Sequence, residues 1–243
     1  MKGYQPEMSF DDQAARRDLD YQRGDEEAAV SLLAQLANGG PALELGIGTG
    51  RIAVPLAARG LRVDGIDLSA AMLEQLQQRP GGEHLQVTRG DFVDVPVEGS
   101  YRLIFVVFNT FYNLLSQEDQ VRCFENVAIH LEGGGLFLIE ALSPAFLYRL
   151  RNNQYVDAEA IAVDEVHLDL LRHYPERQVI EESHVSLSPA GLRLNPVVQR
   201  YAWPSELDLM ARIAGLQLKE RWGGWRGEPY SGSSQRHISV YVR

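Results

Sequence analysis

Glu44-Leu45-Gly46-Ile47-Gly48-Thr49-Gly50 combines a carboxylate with three glycines at alternate positions, between a strand pattern at 42–45 and a helical one at 52–59. Glycine lets the backbone turn at positive φ and approach a ligand closely, and a helix start offers unpaired N–H groups. Asp67 ends the next strand pattern, 62–68, where an acidic side chain can accept both hydroxyls of a ribose. A third carboxylate, Asp91, stands beside Phe92 after a further strand near 85–88. This grouping points to a ligand containing a nucleoside. A dinucleotide fingerprint needs G-x-G-x-x-G, yet counting from Gly46 puts Arg51 at the third glycine and counting from Gly48 puts Ala53 there. The alanine reading leaves a nicotinamide cofactor open.

The same landmarks, in this order, resemble those of the class I S-adenosylmethionine-dependent methyltransferases of the bacterial small-molecule type, from about Glu44 to the C-terminus. Glu44 with Gly46, Gly48 and Gly50 is similar to their motif I, an acid followed by G-x-G-x-G, which serves a cofactor without pyrophosphate. Asp67-Leu68-Ser69 with Met72 resembles motif II, where the acid holds the ribose and Met or Leu lies against the adenosine. Gly90-Asp91-Phe92 resembles the element whose Asp accepts the adenine amino group and whose aromatic flanks the ring. Val107-Phe108-Asn109-Thr110 follows the fourth strand, where methyl group and acceptor meet, and Phe108 joins the expected cofactor contacts. Residues 131–137 are similar to the L-x-P-G-G stretch before the fifth strand; Glu132-Gly133 departs from the usual proline, which bears on a loop and not on the cofactor.

The resemblance implies S-adenosyl-L-methionine as cofactor, S-adenosyl-L-homocysteine as product, and in-line transfer of a methyl group to nitrogen or oxygen of a small metabolite. Such a displacement needs alignment and removal of water, and a base only where the acceptor must first lose a proton. Asn109 and Tyr112 are the catalytic candidates after the central strand, with Phe111 and Asn113 beside them; Tyr21, with Tyr4 and Phe10, is expected from an N-terminal lid. No histidine is assigned as base: His84 and His130 sit at loop or helix ends, while His167, His173 and His184 fall in extended segments whose buried face alternation cannot fix. An amine acceptor is therefore favoured over a hydroxyl. Near the C-terminus, Trp203 and Trp222 are expected to pack, and Trp225, Arg226 and Tyr230 are candidates for a loop over the acceptor pocket.

Behind these residues lies an alternation of strand and helix patterns from 41 to 143, with a near-continuous apolar run at 101–108 of the kind a central parallel strand carries. The expected fold is a doubly wound, seven-stranded, mostly parallel α/β sheet with an antiparallel final strand. Residues 1–40 are read as lid helices, 41–143 and 202–243 as the cofactor-binding core, and 144–201 as an inserted three-stranded antiparallel unit with strands at 159–173, 177–187 and 192–201. That unit would serve the substrate, close a lid or join two copies in a homodimer.

With 23 Lys+Arg against 33 Asp+Glu, a net charge of −10 argues against a broad nucleic-acid footprint. Asn109-Thr110-Phe111-Tyr112 also replaces the [DNS]-P-P-[YFW] tetrad that nucleic-acid methyltransferases use on a flipped base. A nucleic-acid or protein methyltransferase, and a silent cofactor-binding protein, stay open as rivals. A single cysteine, Cys123, and no Cys/His cluster with metal-ligand spacing fit a reducing cytoplasm and no metal site. No apolar segment approaches the ~20 residues of a membrane span, and no leader is read at the N-terminus.

Overall fold

The computed structural model describes residues 1–11, 15 and 23–243. Seven strands form one sheet: β1 (Ala42–Leu45), β2 (Val63–Asp67), β3 (Gln86–Arg89), β4 (Tyr101–Val106), β5 (Leu131–Leu142), β10 (Gln217–Trp222) and β11 (Arg236–Val242). Their order is β10-β11-β5-β4-β1-β2-β3, with β1 to β5 parallel and β11 antiparallel to both neighbours. This is the Rossmann-like architecture of class I methyltransferases. The chain winds outward from β1 to β3 on one side and from β4 on the other, so a crevice opens where β1 and β4 part at their carboxyl ends.

Helices cover both faces because each presents one apolar stripe. On one face α1 (Glu26–Ala37) and α2 (Ala53–Ala58) bury Val30, Leu33 and Leu56 against Leu103, Phe105 and Leu138. On the other, α4 (Gln117–His130) and α5 (Pro204–Ile213) bury Phe124, Val127, Leu207 and Met210 against Ile104, Phe137 and Tyr241. Between β2 and β3, α3 (Ala70–Gln78) is capped by Ser69, whose hydroxyl accepts from Met72 N at 3.1 Å. Helix α1 belongs to this core layer and not to a cover. Of the N-terminal segment, the described cover is the single 3-10 turn Pro6–Phe10.

Between β5 and α5 stands a separate sheet of four antiparallel strands: β6 (Gln154–Ile161), β7 (Val166–Tyr174), β8 (Val179–Ser188) and β9 (Gly191–Arg200). The sequence reading expects three, because 159–173 contains no glycine or proline to mark a reversal. The chain nevertheless turns at 162–165, closed by a 2.8 Å bond from Ala162 N to Glu165 O, with charged residues instead of glycine at the tip. Leu171 and Ile180 seat the base of this sheet on the main core.

Candidate active site

A cavity of about 390 Å³ opens at the carboxyl ends of β1, β2 and β4. Glu44, 3 % exposed, reaches it from the end of β1. The turn that follows holds Gly46 at φ +72 and Gly48 at φ +54, a region that side-chain-bearing residues rarely adopt. The two glycines serve different ends. A Cβ on Gly46 would stand 2.4 Å from Thr110 Cγ2, so its absence lets the loop after β4 close against β1; a Cβ on Gly48 would meet nothing within 4 Å. Gly48 thus presents bare backbone to the cavity.

Asp67 organises this turn before any ligand arrives. Its Oδ2 accepts from Gly48 N and its Oδ1 from Ser69 N, both at 2.8 Å, so the carboxylate ties the glycine turn to the start of α3. Leu68 and Met72 supply apolar wall beside it, and Phe92, 9 % exposed, lies across from them. Asp91, whose Oδ1 accepts from Val93 N at 3.0 Å, stands at the rim. Phe108 completes this set. Nine of the ten expected cofactor contacts therefore share one cavity. Gly50 does not line it: at φ +79, a Cβ there would press 2.4 Å from Leu76 Cδ1, so this glycine serves the packing of α2 against α3.

Three carboxylates (Glu44, Asp67, Asp91) and one guanidinium (Arg51) stand in the wall among the described residues. A negative pocket with an apolar slot suits an adenosine linked to a cationic sulfonium. Bare backbone at Gly48, where a phosphate-free ligand can approach, agrees with the same fit.

The catalytic candidates fall elsewhere. Tyr112 has no exposure; its hydroxyl donates toward Leu142 O at 3.1 Å and Ala202 O at 3.0 Å, and burial holds the phenol far above its ordinary range. It is a core residue and does not line the cavity. Asn109 is left-handed at φ 64 and its Oδ1 accepts from Leu142 N at 2.6 Å, so it caps the end of β5. Tyr21 lies outside the described residues. Thr110, Asn113 and Leu114 supply the wall beyond Phe108 instead. The physical reason is the pair of left-handed residues Phe108 and Asn109, which reverses the chain and turns Phe111 and Tyr112 into the core.

Two further expectations are corrected. Trp225, 5 % exposed, is packed in the α1/α2 face of the core, Arg226 is exposed, and Tyr230 stands edge-on to His237 at 6.3 Å; none lines the cavity. Trp203 does pack, against Tyr148 at 5.6 Å and the α4/α5 cluster, while Trp222 packs on the opposite cluster.

The sequence reading missed Glu140. This carboxylate, 1 % exposed on β5, accepts from Phe108 N at 2.5 Å and pairs with Arg23 at 3.0 Å, and Arg23 in turn stacks on the Phe108 ring at 4.4 Å. A lone charge inside the apolar run Leu136–Leu142 was the available signal. Arg51 also lies over Phe108, at 5.2 Å.

The N-terminal turn closes the cavity from outside. Pro6 and Phe10 line it, Ser69 Oγ donates to Phe10 O at 2.6 Å, and Ser9 Oγ donates to Pro196 O of β9 at 2.8 Å. Tyr4 hydroxyl is 2.8 Å from Ser9 Oγ and does not line the cavity.

Residues 42–135 match the family described as Methyltransferase domain. Over its whole length the chain is similar to the solved CcbJ methyltransferase from Streptomyces caelestis, with 36 % identity, a TM-score of 0.91 and 98 % of both chains covered. The chain belongs to the class I S-adenosylmethionine-dependent methyltransferases. This methyltransferase is also 27 % identical over 208 residues to a protein named cypemycin N-terminal methyltransferase from a Streptomyces species, covering 85 % of this chain and 84 % of that one. Its fold is shared with S-adenosylmethionine-bound CalS10, an amino pentose methyltransferase from Micromonospora echinaspora, at 20 % identity, a TM-score of 0.70 and 95 % coverage of each. As a methyltransferase it is an enzyme with S-adenosylmethionine as cofactor. No helix among the described residues is long and apolar enough to cross a membrane.

Proposed function

We propose that the enzyme methylates an amine nitrogen of a small polar metabolite. One observation carries this reading: among the described residues, no histidine, lysine, cysteine or tyrosine lines the cavity, and its wall beyond Phe108 offers Thr110 and Asn113. A hydroxyl acceptor needs a base within reach as its proton leaves; an amine presents a lone pair once it is neutral and needs mainly alignment. The names of the relatives agree in chemistry, since a peptide N-terminus and an amino pentose both carry amines.

In this reading Asp67 takes the ribose hydroxyls, Asp91 and Phe92 the adenine, Leu68 and Met72 the adenosine edge, while Glu44 and the Gly46–Gly48 turn face the amino-acid end. Bound there, S-adenosylmethionine supplies the electrophilic methyl group. Phe108, held by Glu140 and stacked under Arg23 and Arg51, fixes the wall next to the acceptor. Pro6 and Phe10 exclude water.

Methyl transfer from isotope-labelled S-adenosylmethionine to paired amines and their hydroxyl analogues, read by mass spectrometry, tests the reading. Label on amines supports it. Label on hydroxyls alone refutes it.

A further inference from the structure

The four-stranded sheet has two unlike faces. Register places Leu168, Val185 and Leu194 in one row of the first face, with Leu187 and Leu192 beyond them. On the second face, counting from the base, Ile180 stands opposite Gln199, Glu182 between Leu171 and Val197, and His184 between Asp169 and Asn195. That second face meets the core. Leu171 and Ile180 join the main cluster, and Gln199 donates to Asn113 Oδ1 at 3.3 Å, while Asn113 lines the cofactor cavity.

Above this base the second face carries polar groups in an unfavourable arrangement. Glu182 has no hydrogen-bond or ion-pair partner among the described residues, although burial is the first cause holding its carboxyl above the usual range; Asp169 adds to that shift and His184 opposes it. Asp157 stands directly opposite Asp169 across the β6/β7 ladder, a like-charge pairing that costs stability. Asn195 Nδ2 is closed off from solvent and donates to nothing. The Asp169 carboxylate is held by His184 Nδ1 at 2.6 Å. Of the face's other charged groups, His167 is paired with Glu165 at 3.2 Å, and Arg193 is exposed one row nearer the tip. Unmatched buried polar groups are costly, and they persist where a ligand completes them. Glu182 is two residues along from the row of Gln199, about 7 Å at strand rise.

We propose that Glu182, with Asp169, His184 and Asn195 in the next row, is the recognition site for the acceptor, and that it takes a cationic ammonium-bearing molecule with hydroxyls, such as an amino sugar. The inference rests on the amine reading above and adds where that acceptor is held. Glu182 and Asp169 supply negative charge for the ammonium, and Asn195 Nδ2 supplies a donor to a ligand oxygen. Glu182 is a specificity residue here, distinct from the cofactor contacts.

The test titrates the full-length protein, saturated with S-adenosylhomocysteine and labelled at its carboxyl carbons, with D-glucosamine and with neutral N-acetyl-D-glucosamine. Glucosamine is expected to shift the Glu182 and Asp169 signals, to bind at least tenfold more weakly to Glu182→Gln and to Asp169→Asn, and to outcompete its acetylated form. Unchanged S-adenosylhomocysteine affinity shows that each variant is folded. Equal binding of the two sugars, no response of the Glu182 signal, or undiminished binding by folded Glu182→Gln overturns the proposal. Failure of the amine reading is seen separately, as label on hydroxyls alone in the transfer assay with the unsubstituted protein.

Discussion

Substituting alanine at Gly48 separates the cost of folding from the cost of binding. The site sits at φ +54, and an added Cβ has no neighbour within 4 Å. Folding therefore bears only the left-handed penalty of an alanine, about 1–2 kcal/mol, which lowers the melting temperature of a chain this size by roughly 2–4 °C per kcal/mol. If the cofactor lies against this backbone, the same methyl intrudes on it, and an overpacked contact costs about 1–3 kcal/mol, or roughly five- to hundred-fold in Kd. Gly46→Ala inverts the pattern. Its Cβ would stand 2.4 Å from Thr110 Cγ2, so stability should fall further. Calorimetry with S-adenosylhomocysteine and thermal melts of both variants give the comparison. Gly48→Ala that melts a few degrees lower yet binds S-adenosylhomocysteine as tightly as the parent would refute the close approach and the cradle with it.

Tyr112→Phe strips a donor from the carbonyls of Leu142 and Ala202; unfolding in urea should register a loss of about 1–3 kcal/mol, with turnover near that of the parent, and abolished turnover in a folded variant would restore the tyrosine to catalysis. His237 has no exposure, and burial first, then the charge of Arg221, lowers its pKa to about 3. The unfolded chain therefore binds the extra proton between pH 6.5 and about 3; stability contributed above pH 6.5 is lost on acidification, by up to about 1.4 kcal/mol per pH unit. Urea melts at pH 6.5 and pH 5 should show the parent losing about 2 kcal/mol more than His237→Gln; equal losses would mean that the imidazole titrates normally.

Much of the site was legible because it is local. A glycine turn between a strand and a helix, a carboxylate at the next strand end and an Asp-Phe pair after the third are fixed by neighbours within a few residues. Parallel pairing then brings those strand ends together whatever the intervening helices contain. The elements were legible for the same reason: the apolar run at Tyr101–Val106 is central in the sheet, and Ser69 caps α3 as its type suggests.

Tertiary structure decided what depends on direction and distance. Asn109 and Tyr112 follow the right strand, but two successive left-handed residues point one at β5 and bury the other, and nothing in the sequence announces that φ. Gly50 is spaced like its neighbours but faces Leu76, because a helix start rotates successive residues away from one another. The turn at 162–165 forms without glycine because pairing along two long strands outweighs a poor turn sequence. Glu140 acquires its role only where Arg23, Phe108 and Arg236, far apart in the chain, converge on one carboxylate. Local chemistry wrote the cradle into the sequence; which side chains surround the acceptor is set by packing between segments that the sequence keeps apart.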